Sequence, residues 1–112
     1  MYAVIRRYRL AEGASVEEVM AGVHRGFVPI VARVPGFVAF HAIDLGEGRI
    51  AAVSVFDGRD AAEESTRRAA DHIAQELAAF FAGPPEIEHG EVGAHAVKEG
   101  ADAPHLDSGQ PV

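Results

Sequence analysis

The chain contains no cysteine, no tryptophan and no asparagine in its 112 residues. Without cysteine there is no disulfide and no thiolate-ligated zinc. Basic residues are also scarce: 10 Lys and Arg stand against 17 Asp and Glu, for a net charge of −7. A nucleic acid or an anionic membrane surface needs a basic footprint, so neither is expected as a main partner. No apolar run is long enough to span a bilayer. The opening MYAVIRRYRL carries charges inside its apolar run and does not read as a signal peptide. The expectation is a cytoplasmic protein of one domain, large enough to build a core without staples.

What is present is organised around Pro35 to Phe56. Gly36 to Asp44 is apolar and β-prone, Leu45-Gly46-Glu47-Gly48 reads as a tight turn, and Arg49 to Phe56 is a second strand. An even-length turn sets Asp44 opposite Arg49, an attractive cross-strand pair. That register predicts Val38, Phe40 and Ala42 on one face with Ala51, Val53 and Val55. It puts Phe37, Ala39, His41 and Ile43 on the other with Ile50, Ala52, Ser54 and Phe56. A three-residue turn shifts the pairing by one. Both faces are apolar. Burying Val38, Phe40, Val53 and Val55 is worth ~2 kcal/mol each, so each face needs a cover.

Elsewhere, Tyr2 to Arg9 alternates as a first strand, with Tyr2, Val4, Arg6 and Tyr8 on one face and Ala3, Ile5, Arg7 and Arg9 on the other. Ser15 with Glu18 forms a capping box, followed by Val16, Val19, Met20 and Val23 on one helical face. Gly26 and Pro29 predict a break, with a second short helix from Pro29 to about Val34. Asp60 with Glu63 repeats the cap signature, and a long helix follows to about Phe81, with Ala69, Ile73, Leu77 and Phe80 as its buried stripe. Glu63 with Arg67 and Glu64 with Arg68 are i,i+4 pairs on a solvated face. Gly83-Pro84-Pro85 ends that helix, and Glu86 to Val97 alternates as a last strand. Residues 99–112 have the composition of a disordered tail, leaving 1–98 as the domain.

The order strand, helix, strand, strand, helix, strand is the α+β, ferredoxin-like βαββαβ plan: a four-stranded antiparallel sheet with helices on one face. Two helices shield one face only. The second apolar face therefore predicts a homodimer, sheet against sheet.

Val34-Pro35-Gly36-Phe37, leading into the second strand, and Val53-Ser54-Val55-Phe56-Asp57-Gly58-Arg59-Asp60-Ala61, running from the third strand into an acidic turn and helix, resemble the antibiotic biosynthesis monooxygenase-like domains of the dimeric α/β-barrel superfamily. The resemblance covers about Met1 to Lys98. It implies a dimeric α/β barrel with one cleft per subunit between sheet and helices. Some members oxidise polyketide aromatics with O₂ and no metal or flavin, and others degrade haem. Phe56 matches a position that often carries Trp in the family. A phenyl ring can pack against a flat substrate but has no N–H to donate. The family's Asn has no counterpart in this chain.

The candidate cleft residues follow from these patterns. His41 and His72 are the candidate catalytic pair, one of them as general base, if the His41 face turns toward the helices. The plainer alternative is that both are hydrogen-bonded structural histidines. Phe56, Tyr8, Arg6 and Ser54 are the candidate substrate-binding residues. An arginine in a cleft can hold an anionic oxygen; at a strand end it simply reaches water. No base or oxyanion loop marks Ser54 as a nucleophile. His89 and His95 lie ~20 Å apart along one strand and cannot share a metal ion, so no metal site is expected. The expected function is a cofactor-independent monooxygenase acting on a small aromatic or polyketide-like molecule. The alternatives are a non-catalytic binder of a hydrophobic metabolite or haem, and a purely structural homodimer.

Overall fold

The computed structural model describes residues 1–98. The expected tail, 99–112, lies outside them. Strands β1 (Tyr2–Arg9), β2 (Phe37–Gly46), β3 (Arg49–Phe56) and β4 (Glu86–Glu91) form one sheet in the order β2-β3-β1-β4. All neighbouring pairs are antiparallel. Two helical segments cover one face. The first comprises α1 (Val16–Gly22), a π turn (Val23–Phe27) and α2 (Val28–Ala32). The second comprises α3 (Arg59–His72), a π turn (Ile73–Leu77) and a short 3₁₀ turn (Ala78–Phe80). This is the ferredoxin-like α+β plan that the order of elements predicts. No helix among the described residues is long and apolar enough to cross a membrane.

The core lies between sheet and helices. Tyr2, Val4 and Phe56 from the sheet meet Phe27, Val31, Val34, Ala62 and Ala69 from the helical layer. Leu10, Val19 and Ile50 form a second cluster nearer the hairpin end. Alternation along β1 is as expected: Tyr2, Val4, Arg6 and Tyr8 are buried, while Arg7 and Arg9 are exposed.

The hairpin register is not the expected one. Glu47 and Gly48, with φ of 54° and 74°, make a two-residue turn of the kind that matches strand twist. Gly46, not Asp44, pairs with Arg49. Leu45 is bulged out, Gly46 takes a φ of +85°, and the Asp44 carboxylate accepts the Gly46 N–H at 2.9 Å. The bulge slides Asp44 opposite Ile50, Ala42 opposite Ala52, and Phe40 opposite Ser54. A one-residue slip exchanges faces. Phe40 and Ala42 therefore face the helices with Ala52, Ser54 and Phe56, while His41 joins Val53 on the other face. A second irregularity at Val38 restores Phe37 to the helix side, opposite Phe56.

The helical segments also differ from expectation in detail. Ser15 caps α1 by accepting the Glu18 N–H at 3.3 Å, as the box predicts. Gly26 and Pro29 do not break the helix. The chain widens into a π turn just before Pro29, and the Val28 N–H reaches back to Val23 O. That absorbs the N–H that proline lacks. Helix α3 starts from Gly58 without a side-chain cap, so Asp60 lies inside the first turn instead of capping it. Glu63 pairs backward with Arg59 at 3.1 Å instead of with Arg67, while Glu64 takes Arg68 at 2.8 Å and also Arg67. Strand β4 stops at Glu91, not Val97: Glu91 pairs with Tyr2, and the Val92 N–H donates to Met1 O at 2.9 Å. Among the described residues the ladder goes no further.

On the second face of the sheet, Ala3, Ile5, Ala39, Ile43, Ala51, Val53 and Val55 form an apolar surface. Among the described residues no element covers it.

Candidate functional site

Arg6 is the feature that the fold least explains by packing. It projects from the middle of β1 toward the helices and is 2 % exposed. Its guanidinium donates to Thr66 Oγ1 at 3.0 Å, and at longer range to Ser54 Oγ at 3.4 Å and Ser65 Oγ at 3.5 Å. Only the first is well formed, since N–H···O bonds cluster near 2.9–3.0 Å. The Ser65 and Thr66 hydroxyls both donate to Ala62 O, at 2.7 and 3.1 Å, which turns their lone pairs toward Arg6. The cation is thus solvated by dipoles but not neutralised. No ion pair among the described residues includes it, although the chain has 17 acidic residues. Burial holds the guanidinium below its ordinary pKa. The same burial raises the Tyr8 phenol, an effect the nearby Arg6 charge partly offsets.

Register places small residues beside this charge. Arg6 pairs with Ala52, and Ala52 with Ala42, so Arg6, Ala52 and Ala42 form one row across three strands on the helix side. On one side of the row stand Val4, Ser54 and Phe40; on the other stand Tyr8, Ile50 and Asp44. Above the two alanines lies an apolar slot. Tyr8, Phe27, Phe40 and Phe81 supply its aromatic walls, and Val19, Val23, Ile73 and Leu77 descend from the helical segments. The Tyr8 and Phe81 rings are 4.6 Å apart, and Phe27 and Phe40 are 5.3 Å apart. The slot is closed down to about 20 Å³, room for one water.

The roof of the slot comes from both π turns: Val23 and Phe27 line it from the first, Ile73 and Leu77 from the second. Gly22 and Gly26 let the first segment approach the second closely: a Cβ on Gly26 would stand 3.2 Å from the His72 ring, and one on Gly22 3.4 Å from Leu77. Outside this contact is a groove of about 580 Å³ lined by Glu18, Arg25, His72, Glu76 and Phe80, among others. Leu77 lines both the groove and the slot, so it is the plug between them. Single π turns inside helices recur at functional sites because they re-aim side chains. His72 Nε2 is buried without a hydrogen-bond partner, and its ring lies 6.0 Å from that of Phe27.

A separate groove of about 320 Å³ runs between α3 and β4, bordered by Tyr2, Arg59, Thr66, Arg67, Ile87 and His89. The Tyr2 hydroxyl and His89 Nδ1 are 2.7 Å apart there. No group of three or more His, Asp or Glu among the described residues is placed to hold a metal ion.

The expected site residues divide three ways. Arg6, Ser54 and Tyr8 share the helix-facing side of the sheet, with Arg6 bonded to Ser54. His72 lies above them at the rim. His41 is on the opposite, exposed face beside Val53, so the expected His41–His72 pair does not form; the Leu45 bulge is the reason. Phe56 is fully buried, packed edge-on to Phe37 at 6.1 Å, and lines none of the cavities described above. Sequence reading missed Ser65 and Thr66. The signal was present: extending the stripe of Ala69, Ile73 and Leu77 one turn back lands on Ser65, a polar residue on a buried stripe.

No protein-family model and no curated protein matches the chain. Solved structures do. A protein of unknown function from Nitrosomonas europaea superposes with a TM-score of 0.73 at 19% identity, covering 87% of this chain and 93% of the other. A monooxygenase from Streptomyces coelicolor, in complex with nanaomycin D, gives 0.67 at 14% identity, covering 87% and 91%. A mutant of the cofactor-independent oxygenase SnoaB from Streptomyces nogalater gives 0.66 at 16% identity, covering 87% and 97%. The chain has the fold of the antibiotic biosynthesis monooxygenase-like proteins. At these identities the likeness is one of fold.

Proposed function

We propose that this protein is a cytoplasmic homodimer that binds a small, flat aromatic molecule between sheet and helices and oxidises it with O₂, without metal or flavin. The observation that carries the reading is the aromatic-walled slot over Ala42 and Ala52, roofed by two facing π turns. Its residual volume is far below the ~300 Å³ of a ligand pocket, so entry requires the π turns to part and Leu77 to swing out. The neighbours described as oxygenases support the reaction class. The uncovered apolar sheet face supports the dimer, because a second copy would remove it from water.

In this reading a phenolic substrate lies over the alanines. One atom of O₂ enters the ring as a carbonyl, and the other leaves as water with the ring hydrogen and the phenolic hydrogen. The electrons come from the substrate itself. His72, whose Nε2 carries no hydrogen bond, accepts a proton at the rim; Tyr8 and Phe40 hold the ring. An oxygen electrode with dihydroxynaphthalenes tests this. Oxygen uptake with quinone formation, lost in His72→Ala, is expected. Absence of uptake across the panel rejects the catalytic reading.

One observation favours a second reading, a binder without turnover: among the described residues Tyr8 is the only titratable one lining the slot. Saturable binding of the same compounds without oxygen uptake would select it.

A further inference from the structure

The apolar walls of the slot leave the ligand's charge open, and Arg6 bears on it. A guanidinium that is 2 % exposed, with one good hydrogen bond and no carboxylate, is an expensive thing to keep in a core. Packing alone would favour a methionine or leucine at the position. The surrounding hydroxyls do not neutralise the charge. The Ser65 and Thr66 protons are committed to Ala62 O, so these hydroxyls orient the guanidinium without supplying a counter-ion. The three bonds use three of its five N–H groups, and an incoming oxygen pair would find the other donors unspent.

The row beside Arg6 suits a flat ligand. Ala52 and Ala42 lie directly in line with Arg6 across three strands, and they are small enough to leave a flat floor. Adjacent strands are ~4.8 Å apart, so the row from Arg6 to Ala42 is ~10 Å long. That is the length of one or two fused rings carrying an acid group. The floor is greasy and walled by aromatics; Arg6 does not line the slot itself but stands one strand beyond Ala52, which does. The arginine fork suits a planar pair of oxygens better than a point charge would.

We propose that Arg6 is the anion-binding anchor of the slot, and that the ligand is an aromatic anion lying along the row Arg6–Ala52–Ala42 with its ring over the alanines. This deepens the proposed function and rests on the slot taking a ligand at all. The shared chemistry is a ring-borne anionic oxygen. A carboxylate and a phenolate both supply one, and they are separated by the test.

The full chain is titrated near neutral pH with 2-naphthoate, its neutral isostere 2-naphthamide, and 2-naphthol, with the naphthol repeated above its own pKa. The absence of tryptophan keeps protein fluorescence from masking the naphthyl signal. The naphthoate is expected to bind at least tenfold more tightly than the amide. In Arg6→Met that preference disappears while amide affinity is kept. Naphthol binding that tightens tenfold on ionisation, with naphthoate no better than amide, keeps the anchor and makes the ligand a phenolate. Equal affinity for all forms overturns the anion anchor and leaves the slot reading standing, as does a preference that survives in Arg6→Met. If no naphthyl compound binds wild type, while Ala52→Leu is equally inert, the slot reading falls and the anchor with it.

Discussion

Replacing Arg6 by methionine should make the protein more stable, not less. The energetics follow from its contacts. An ion buried without a counter-charge costs several kcal/mol in desolvation, even after relaxation. Against this stand the hydrogen bonds to Thr66 at 3.0 Å, Ser54 at 3.4 Å and Ser65 at 3.5 Å. The first is worth ~2 kcal/mol because its donor is charged, and the two long ones add little. Ser65 and Thr66 keep their bonds to Ala62 O after the substitution, so only Ser54 loses its partner, at about 1 kcal/mol. Methionine is unbranched and can follow the path of the arginine stem. The balance is a gain of about 2 kcal/mol, or roughly 10 °C in Tm for a domain of this size. Scanning calorimetry on the two proteins without ligand gives the answer. A fall in Tm of 5 °C or more would refute the reasoning, because it would mean that the guanidinium stabilises the core instead of being kept for a ligand. A residue whose loss stabilises the fold is the expected signature of a functional one.

Three other perturbations follow from the same geometry. Leu77→Ala removes the plug between groove and slot; it should cost ~3 kcal/mol in urea unfolding yet speed naphthoate association in stopped flow, and an unchanged association rate would mean entry is elsewhere. Tyr8 has its phenol pKa raised by burial, so its contribution to stability is complete below the ordinary tyrosine range and is lost as pH rises through that range toward the folded-state value; Tyr8→Phe should flatten the alkaline arm of the stability–pH curve, and an arm left unaltered would assign it to other groups. Val53→Glu puts a charge in the middle of the uncovered sheet face; sedimentation should show wild type as a dimer and the variant shifted to monomer, whereas a monomeric wild type would end the dimer reading.

Much of the fold was legible because alternation and helical spacing are local properties. The bounds of β1 and β3 come straight from the sequence. The register of β2 did not, because it turns on whether Leu45 bulges, and that is decided by Gly46 and Asp44 acting on their own backbone. A single bulged residue moved His41 out of the cleft and brought Phe40 and Ala42 in. The length of β4 was set by its pairing with β1, which ends at Tyr2↔Glu91, however long the alternation in 92–97 continues. Arg6 was placed on the correct face by period alone. Its burial beneath Ser65 and Thr66 depends on how α3 lies over the sheet, which no local pattern encodes.

A crystal structure with 6-bromo-2-naphthoate tests the central claim most directly. The account predicts an anomalous bromine peak between sheet and helices on the Ala42 side, the carboxylate at the Arg6 guanidinium, and Leu77 displaced. A bromine peak on the outer groove, or none with the slot still closed around Tyr8 and Phe40, would contradict it.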